Sequence, residues 1–239
     1  EGVQPLSGLS SLKQLQRLSL TVHKPPAGAQ LPPSLAALSA LQSLSLTVAG
    51  RRLTEPPLYL RLPWEWCLAA TQVTSMLLDS VDLPSLPEPN QGRRMGGASS
   101  SSGGGSSIFP ALRRLELLSA FGRIAFTALG CCQAVEDLRV QLSRVGTAEW
   151  AMLSQLSQLQ TLSIQDCYVE PEADVGVAGQ LLPLPQSLSS LTALTKLDIS
   201  DSTIHPAMAQ LPAVRQLRLW EIDQGFQAAG GWRLPEGPW

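Results

Sequence analysis

Asparagine is nearly absent from this chain of 239 residues: Asn90 is the single one, and Asn90-Gln91-Gly92 is no glycosylation sequon. Histidine is almost as scarce. His23 and His205 occupy turn positions in the first and seventh of eight repeated units, roughly 29 Å apart in a straight stack of strands, so they share neither a metal nor a proton. No apolar run approaches the length of about 18 residues that crosses a bilayer, and no charged-then-apolar leader opens the sequence, which predicts no membrane insertion within this segment. An excess of charge is missing too. The 17 basic and 19 acidic residues give a formal charge of −2, which supplies no electrostatic case for nucleic acid or an anionic membrane.

Catalytic and ligand-binding sets are equally thin. Glu136-Asp137 and the group Glu170, Glu172 and Asp174 read as solvated surface charge, since nothing supplies the roughly six to eight oxygens that calcium takes. The tract GGASSSSGGGSS (96–107) lacks the lysine and the strand-to-helix setting that make a glycine loop cradle phosphate. The four cysteines are Cys67, Cys131, Cys132 and Cys167. The adjacent pair Cys131-Cys132 cannot readily bridge to itself, and no histidine or basic cluster stands near it to activate a thiol. A buried turn position is its expected place. These absences predict a chain that is no enzyme, with no cofactor and no metal, in a reducing, intracellular and cytoplasmic setting.

What the chain does have is leucine at fixed spacing. The pattern apolar-x-x-apolar-x-apolar occurs at Leu15/Leu18/Leu20, Leu41/Leu44/Leu46, Val73/Met76/Leu78, Leu112/Leu115/Leu117, Val135/Leu138/Val140, Leu159/Leu162/Ile164, Leu194/Leu197/Ile199 and Val214/Leu217/Leu219. Steps between successive copies run from 20 residues (Leu194 to Val214) to 39 (Val73 to Leu112). Self-similarity at this period signals a solenoid. Within each copy the alternation, as in Leu18-Ser19-Leu20-Thr21-Val22, has period two and sends leucines to one face of a strand and hydroxyls to the other. Upstream, leucines recur every third residue (Leu6, Leu9, Leu12; Leu35, Leu38; Leu153, Leu156; Leu188, Leu191), which suits a tight helical or 3₁₀ turn facing the same core. Leucines at i and i+3 also line a helix, but Ser, Thr and Val crowd the alternating segments and favour strands. One unit alone leaves its leucine face wet, and stacking buries it.

These residues resemble the leucine-rich repeat family, and LPPSLAALSALQSLSL (31–46) and LPQSLSSLTALTKLDIS (184–200) look like the LPxSLxxLxxLxxLxL variant common in plant-type intracellular repeat proteins. The resemblance implies an α/β horseshoe: a parallel concave sheet of about eight strands, with helical, 3₁₀ or irregular returns on the convex side. It also implies cysteine-rich end caps in secreted members, and neither end here has one. One departure stands out. Where the family places Asn or Cys, three residues past the last strand leucine, this chain has His23, Ala49, Val81, Ala120, Ser143, Cys167, Ser202 and Ile222. Only Cys167 matches, so irregular turns, serine or water partners for backbone groups and a less stable solenoid are expected.

The expected organisation is one continuous solenoid: repeats 1–3 over 1–89, a disordered Gly/Ser-rich insertion over 90–107, repeats 4–8 over 108–223 and an irregular tail over 224–239. A second insertion covers 167–182. With Glu1 first and repeats beginning within a few residues, the chain reads as a fragment of a longer protein. Function then rests on the concave face. Its first two strands offer short hydroxyls, whereas later strands offer Arg114, Glu116, Arg139, Lys196, Asp198, Arg218 and Trp220, types suited to a partner-binding surface. Trp220 reads as an aromatic anchor or as a cover for the end of the core. The expectation is a monomeric, non-enzymatic module that binds another protein. Two further roles fit the same features: the recognition arm of a multidomain regulator (immune receptor, ubiquitin-ligase adaptor or receptor kinase), and a structural subunit of a large assembly such as a ciliary axoneme.

Overall fold

The computed structural model describes residues 9, 11–26, 29–49, 60–82, 108–118, 129–141, 144–145, 152–165, 168–169, 190–200, 211 and 213–220; Trp64, Asp82, Arg144, Val145, Tyr168, Val169, Leu219 and Trp220 are described in their backbone only. The Gly/Ser insertion, the second insertion apart from Tyr168 and Val169, the tail and His205 lie outside these residues.

Among the described residues twelve strands follow along the chain: β1 (Arg17–His23), β2 (Ser43–Ala49), β3 (Leu60–Arg61), β4 (Ser75–Asp79), β5 (Val81–Asp82), β6 (Arg114–Leu118), β7 (Asp137–Gln141), β8 (Arg144–Val145), β9 (Thr161–Gln165), β10 (Tyr168–Val169), β11 (Lys196–Ser200) and β12 (Gln216–Trp220). Eight of them form one open parallel sheet in the order β1-β2-β4-β6-β7-β9-β11-β12. These are the eight alternating segments of the sequence, in chain order and in matching register: Leu44 pairs with Met76, Met76 with Leu115, Leu115 with Leu138, Leu138 with Leu162 and Leu162 with Leu197. The four two-residue strands form two small parallel pairs, β3 with β5 and β8 with β10. No sequence pattern announced these.

Period two sorts the faces as expected. Leu44, Leu46, Met76, Leu78, Leu115, Leu117, Leu138, Val140, Leu162, Ile164, Leu197 and Ile199 are all buried, while the residues between them face outward. The two terminal strands differ, because each has a neighbour on one side only among the described residues. Leu18, Leu20 and Val22 of β1 and Leu217 of β12 are half-buried.

The returns follow the every-third-residue leucines directly. Leu12 N–H donates to Leu9 O and Leu15 N–H to Leu12 O; Leu38 to Leu35 and Leu41 to Leu38; Leu156 to Leu153 and Leu159 to Leu156. Each leucine therefore closes a three-residue turn on the one before it; Leu35, Leu38, Leu41, Leu153, Leu156 and Leu159 are buried by it, whereas Leu12 in the first unit is 47% exposed. In the fifth unit Leu129, Cys132 and Val135 use the same bonds, so Cys132 occupies a leucine's place. Formal 3₁₀ helices span Pro33–Ala37 and Leu129–Cys131, and one short α-helix, α1 (Trp64–Ala69), serves the third unit. Its Trp66 packs against Phe109 with ring centroids 5.4 Å apart and planes tilted by 58°. That tilted contact joins the return of the third unit to that of the fourth.

A backbone ladder joins the starts of the eight strands of the main sheet. The carbonyls of Gln16, Gln42, Thr74, Arg113, Glu136, Gln160 and Thr195 each accept two N–H groups from the next coil; Gln160 O, for example, takes Thr195 N–H and Lys196 N–H at 2.9 and 3.0 Å. Thr74 and Thr195 add their hydroxyls to the same acceptors, Gln42 O and Gln160 O, at 3.2 Å. At the other end, where the resemblance calls for Asn, the turns are individual. Lys24 and Ser80 adopt positive φ (44° and 56°), and their N–H groups donate across to Ala49 O and Leu118 O. Adjacent coils thus supply there the backbone partners that a missing asparagine would have given.

Candidate binding face

The outward residues form rows, because in-register parallel strands place equivalent positions side by side. The central row reads Ser19, Ser45, Leu77, Glu116, Arg139, Ser163, Asp198, Arg218 from β1 to β12. The row at the strand starts reads Arg17, Ser43, Ser75, Arg114, Asp137, Thr161, Lys196, Gln216. One residue earlier lies a further row, the donors of the backbone ladder, which includes Arg113, Glu136, Thr195 and Arg215.

The seven residues singled out from the sequence fall into two groups. Arg114 Nε donates to Asp137 Oδ2 at 3.1 Å, and Arg139 Nη1 approaches Glu116 Oε2 at 3.9 Å, so both pairs are rungs between β6 and β7. Arg113 and Glu136 form a third rung beside them. Glu136 and Asp137, which the sequence suggests are merely solvated, are the acidic halves of two of these rungs. Across β9, which offers Thr161, Ser163 and Gln165, lie Lys196, Asp198 and Arg218. Among the described residues these three make no ion pair, although Asp198 and Arg218 stand opposite each other in the ladder. Trp220 ends β12 opposite Ser200. The strand order places β7 and β12 about 15 Å apart.

Two polar groups on this patch are sheltered. Ser163, between Arg139 and Asp198, is only 5% exposed and accepts a bond from Gln165 Nε2 at 3.4 Å. Asp198 Oδ1 is buried with no hydrogen-bond partner among the described residues. A carboxylate oxygen removed from water without a donor costs free energy, and an incoming donor would recover it.

A cleft of about 350 Å³ opens at the starts of β9, β11 and β12, lined by Thr161, Thr195, Lys196, Arg215 and Gln216. Sequence reasoning weighed Lys196 here but not Arg215 or Thr195, because it stopped at the strand residues. The readable signal was the position just after the first apolar residue of each unit, which the ladder row occupies.

The cysteines belong to the core rather than to this face. Burial pushes the thiols of Cys67 and Cys132 up to about 12, with Cys131 and Cys67 adding to the rise at Cys132; Cys131 is raised as well, again by burial. All three are free. Neutral, buried thiols are poor nucleophiles. Among the described residues no group of three His, Cys, Asp or Glu could hold a metal ion, and no helix is long and apolar enough to cross a membrane.

No protein-family model matches the chain, and no curated protein does. Among solved structures it is similar to TLR13 in its complex with ssRNA13, at 16% identity and a TM-score of 0.58, covering 93% of this chain and 27% of that one. It is also similar to an internalin, InlF, of Listeria monocytogenes (18% identity, TM-score 0.45, 91% of this chain and 58% of that one). A third is the Arabidopsis receptor kinase HAESA, solved with the peptide hormone IDA and the co-receptor SERK1 (19%, 0.46, 89% and 35%). These neighbours are leucine-rich repeat proteins with a parallel sheet, and the fold here is a leucine-rich repeat solenoid. The chain spans about a quarter to three-fifths of the length of these structures.

Proposed function

We propose that this chain is a non-enzymatic protein-interaction module that takes a protein partner on the polar face of its sheet, at the end formed by β9, β11 and β12. One observation carries the reading: among the described residues Asp198 Oδ1 is sheltered and without a hydrogen-bond partner on an open polar face, with the cation Arg218, which makes no ion pair among them, opposite it in the ladder. The β6-β7 charges are neutralised by each other, so they shape the rim and set register, while Lys196, Asp198 and Arg218 supply specificity contacts. TLR13 was solved with an RNA, but the near-balanced charge of this chain favours a protein. That Cys67, Cys131 and Cys132 are thiols rather than disulfides favours a reducing compartment. The plant-type variant of the repeat, the seven-residue site and the single solenoid over 1–223 are parts of the same proposal.

A photo-crosslinking residue placed at Gln216, on the sheet face, and another at Pro33, on a convex turn, test it in cells. The expected result is a defined protein adduct from position 216 that disappears in the Asp198→Ala/Arg218→Ala background and is absent from position 33. Adducts from position 33 alone, or adducts to RNA, would overturn the reading.

A further inference from the structure

The cleft at the strand starts has a composition of its own. Lys196 and Arg215 bring two cations to one small concavity, and neither makes an ion pair among the described residues. The nearest carboxylates on the flanking strand, Glu136 and Asp137, are held by Arg113 and Arg114. Asp198 lies two residues further along β11, outside the lining. Among the described residues the lining of the cleft therefore carries positive charge alone, within a chain whose overall charge is slightly negative.

Its donors are side chains. The N–H groups of Thr195, Lys196, Arg215 and Gln216 are all spent on Gln160 O and Thr195 O, and the Thr195 hydroxyl donates to Gln160 O. Thr195 is thus a wall. The Thr161 hydroxyl and the Gln216 amide make no hydrogen bond among the described residues and border the two cations. An ammonium, a guanidinium fork, a hydroxyl and an amide converging on one concavity match a group with several acceptor oxygens and close to two negative charges. A phosphoryl group on serine or threonine carries about −1.5 to −2 at pH 7 and three acceptor oxygens, whereas a carboxylate offers one charge and would leave a cation unmatched.

We propose that this cleft is an oxyanion subsite that takes a phosphoryl group carried on a serine or threonine of the partner protein. The inference rests on the reading of the sheet face as a protein-binding surface and gives that surface a switch. Phosphorylation of the partner would complete the contact that Lys196 and Arg215 leave open.

The test uses the full chain labelled with nitrogen-15, at constant ionic strength. Inorganic phosphate, a short phosphoserine peptide flanked by alanines, its unphosphorylated counterpart, acetate and a single-stranded oligoribonucleotide are titrated separately. The expected result is a saturable shift of the Thr161, Thr195, Lys196, Arg215 and Gln216 amides with phosphate and with the phosphopeptide. Acetate and the unphosphorylated peptide should need at least tenfold higher concentration. K196Q/R215Q should weaken phosphopeptide binding at least tenfold with an unchanged melting temperature. R215K, which keeps the charge but loses the fork, and T161V, which keeps the shape but loses the hydroxyl, should each weaken it severalfold, so the inference survives a double variant that fails to fold. It is overturned by any of four results: no saturable shift at these amides, acetate binding as tightly as phosphate, phosphate binding without the phosphopeptide (an adventitious ion only), or the oligoribonucleotide binding there more tightly than the phosphopeptide. Because none of these measurements uses the cellular partner, a failure here leaves the crosslinking test of the protein-binding face intact, and the reverse holds too.

Discussion

Strands β6 and β7 and strands β11 and β12 carry the same kinds of charge on the same face, and they use them in opposite ways. In the first pair every described charge has a partner across one rung: Arg113 with Glu136, Arg114 with Asp137, Arg139 with Glu116. In the second pair Lys196, Asp198, Arg215 and Arg218 have no ion pair among the described residues, and one Asp198 oxygen is sheltered without a donor. Residue type alone therefore says little about binding capacity on a repeat face. What matters is whether the neighbouring coil already holds the opposite charge at the same register.

The largest effect should come from the core beneath both regions. Leu162 is fully buried under β9, the strand between them. Leu162→Ala should cost about 2 to 5 kcal/mol, the range for truncating a packed leucine. Denaturant melts check the size. Hydrogen exchange that loosens only one of the two regions would show that they do not share a cooperative unit.

The next effect separates the regions by function. Asp198→Ala or Arg218→Ala should lose roughly 2 kcal/mol of partner affinity while leaving the melting temperature nearly unchanged, whereas Glu116→Ala should leave affinity almost intact. Equal losses from both groups, measured by titration calorimetry with the crosslinked partner, would erase the distinction. Trp220→Ala belongs in the same series: lost affinity marks an anchor, and a lowered melting temperature marks an end cover.

A third effect reads the core by pH. The folded thiols of Cys67 and Cys132 stay protonated up to about 12, while in the unfolded chain a thiol ionises near its ordinary value of about 8.5. Between those values the unfolded state binds fewer protons, so stability is fully present below about pH 8.5 and falls as pH rises towards 12. The slope approaches about 1.4 kcal/mol per pH unit for each thiol. Urea midpoints from pH 8 to pH 10.5 should show it, and Cys132→Ala should flatten it.

The smallest effect concerns the rungs of β6 and β7. They are largely exposed, with Arg114 and Asp137 side chains 60% and 39% accessible, so a double-mutant cycle on Arg114 and Asp137 should give about 0.2 to 1 kcal/mol, diminishing with salt. A coupling much larger than this would mean that the rungs hold the solenoid together rather than merely balancing its face.

Much of this molecule was legible beforehand. All eight sheet strands lie on the alternating segments, and the leucines spaced by three close turns on one another, because both periodicities are local. The small pairs β3-β5 and β8-β10 were not legible, since two residues carry no period. The absence of asparagine from the turn positions was legible, but the bonds found at two of the turns were not. Backbone bonds from Lys24 to Ala49 and from Ser80 to Leu118 replace it at two of the turns, and they need coils that only stacking brings together.

The sequence by itself determined which residues point inward and which outward, because side-chain direction along a strand depends on nothing beyond parity. Only the tertiary structure decided which outward charges are spent. Arg114 meets Asp137 across 23 residues of chain, and the Lys196 and Arg215 cleft forms between coils. Repeat steps here vary too widely for spacing alone to set which side chains become neighbours. That neighbourhood comes from the register of stacked strands, where backbone ladders and buried leucines fix the rungs and the charges follow.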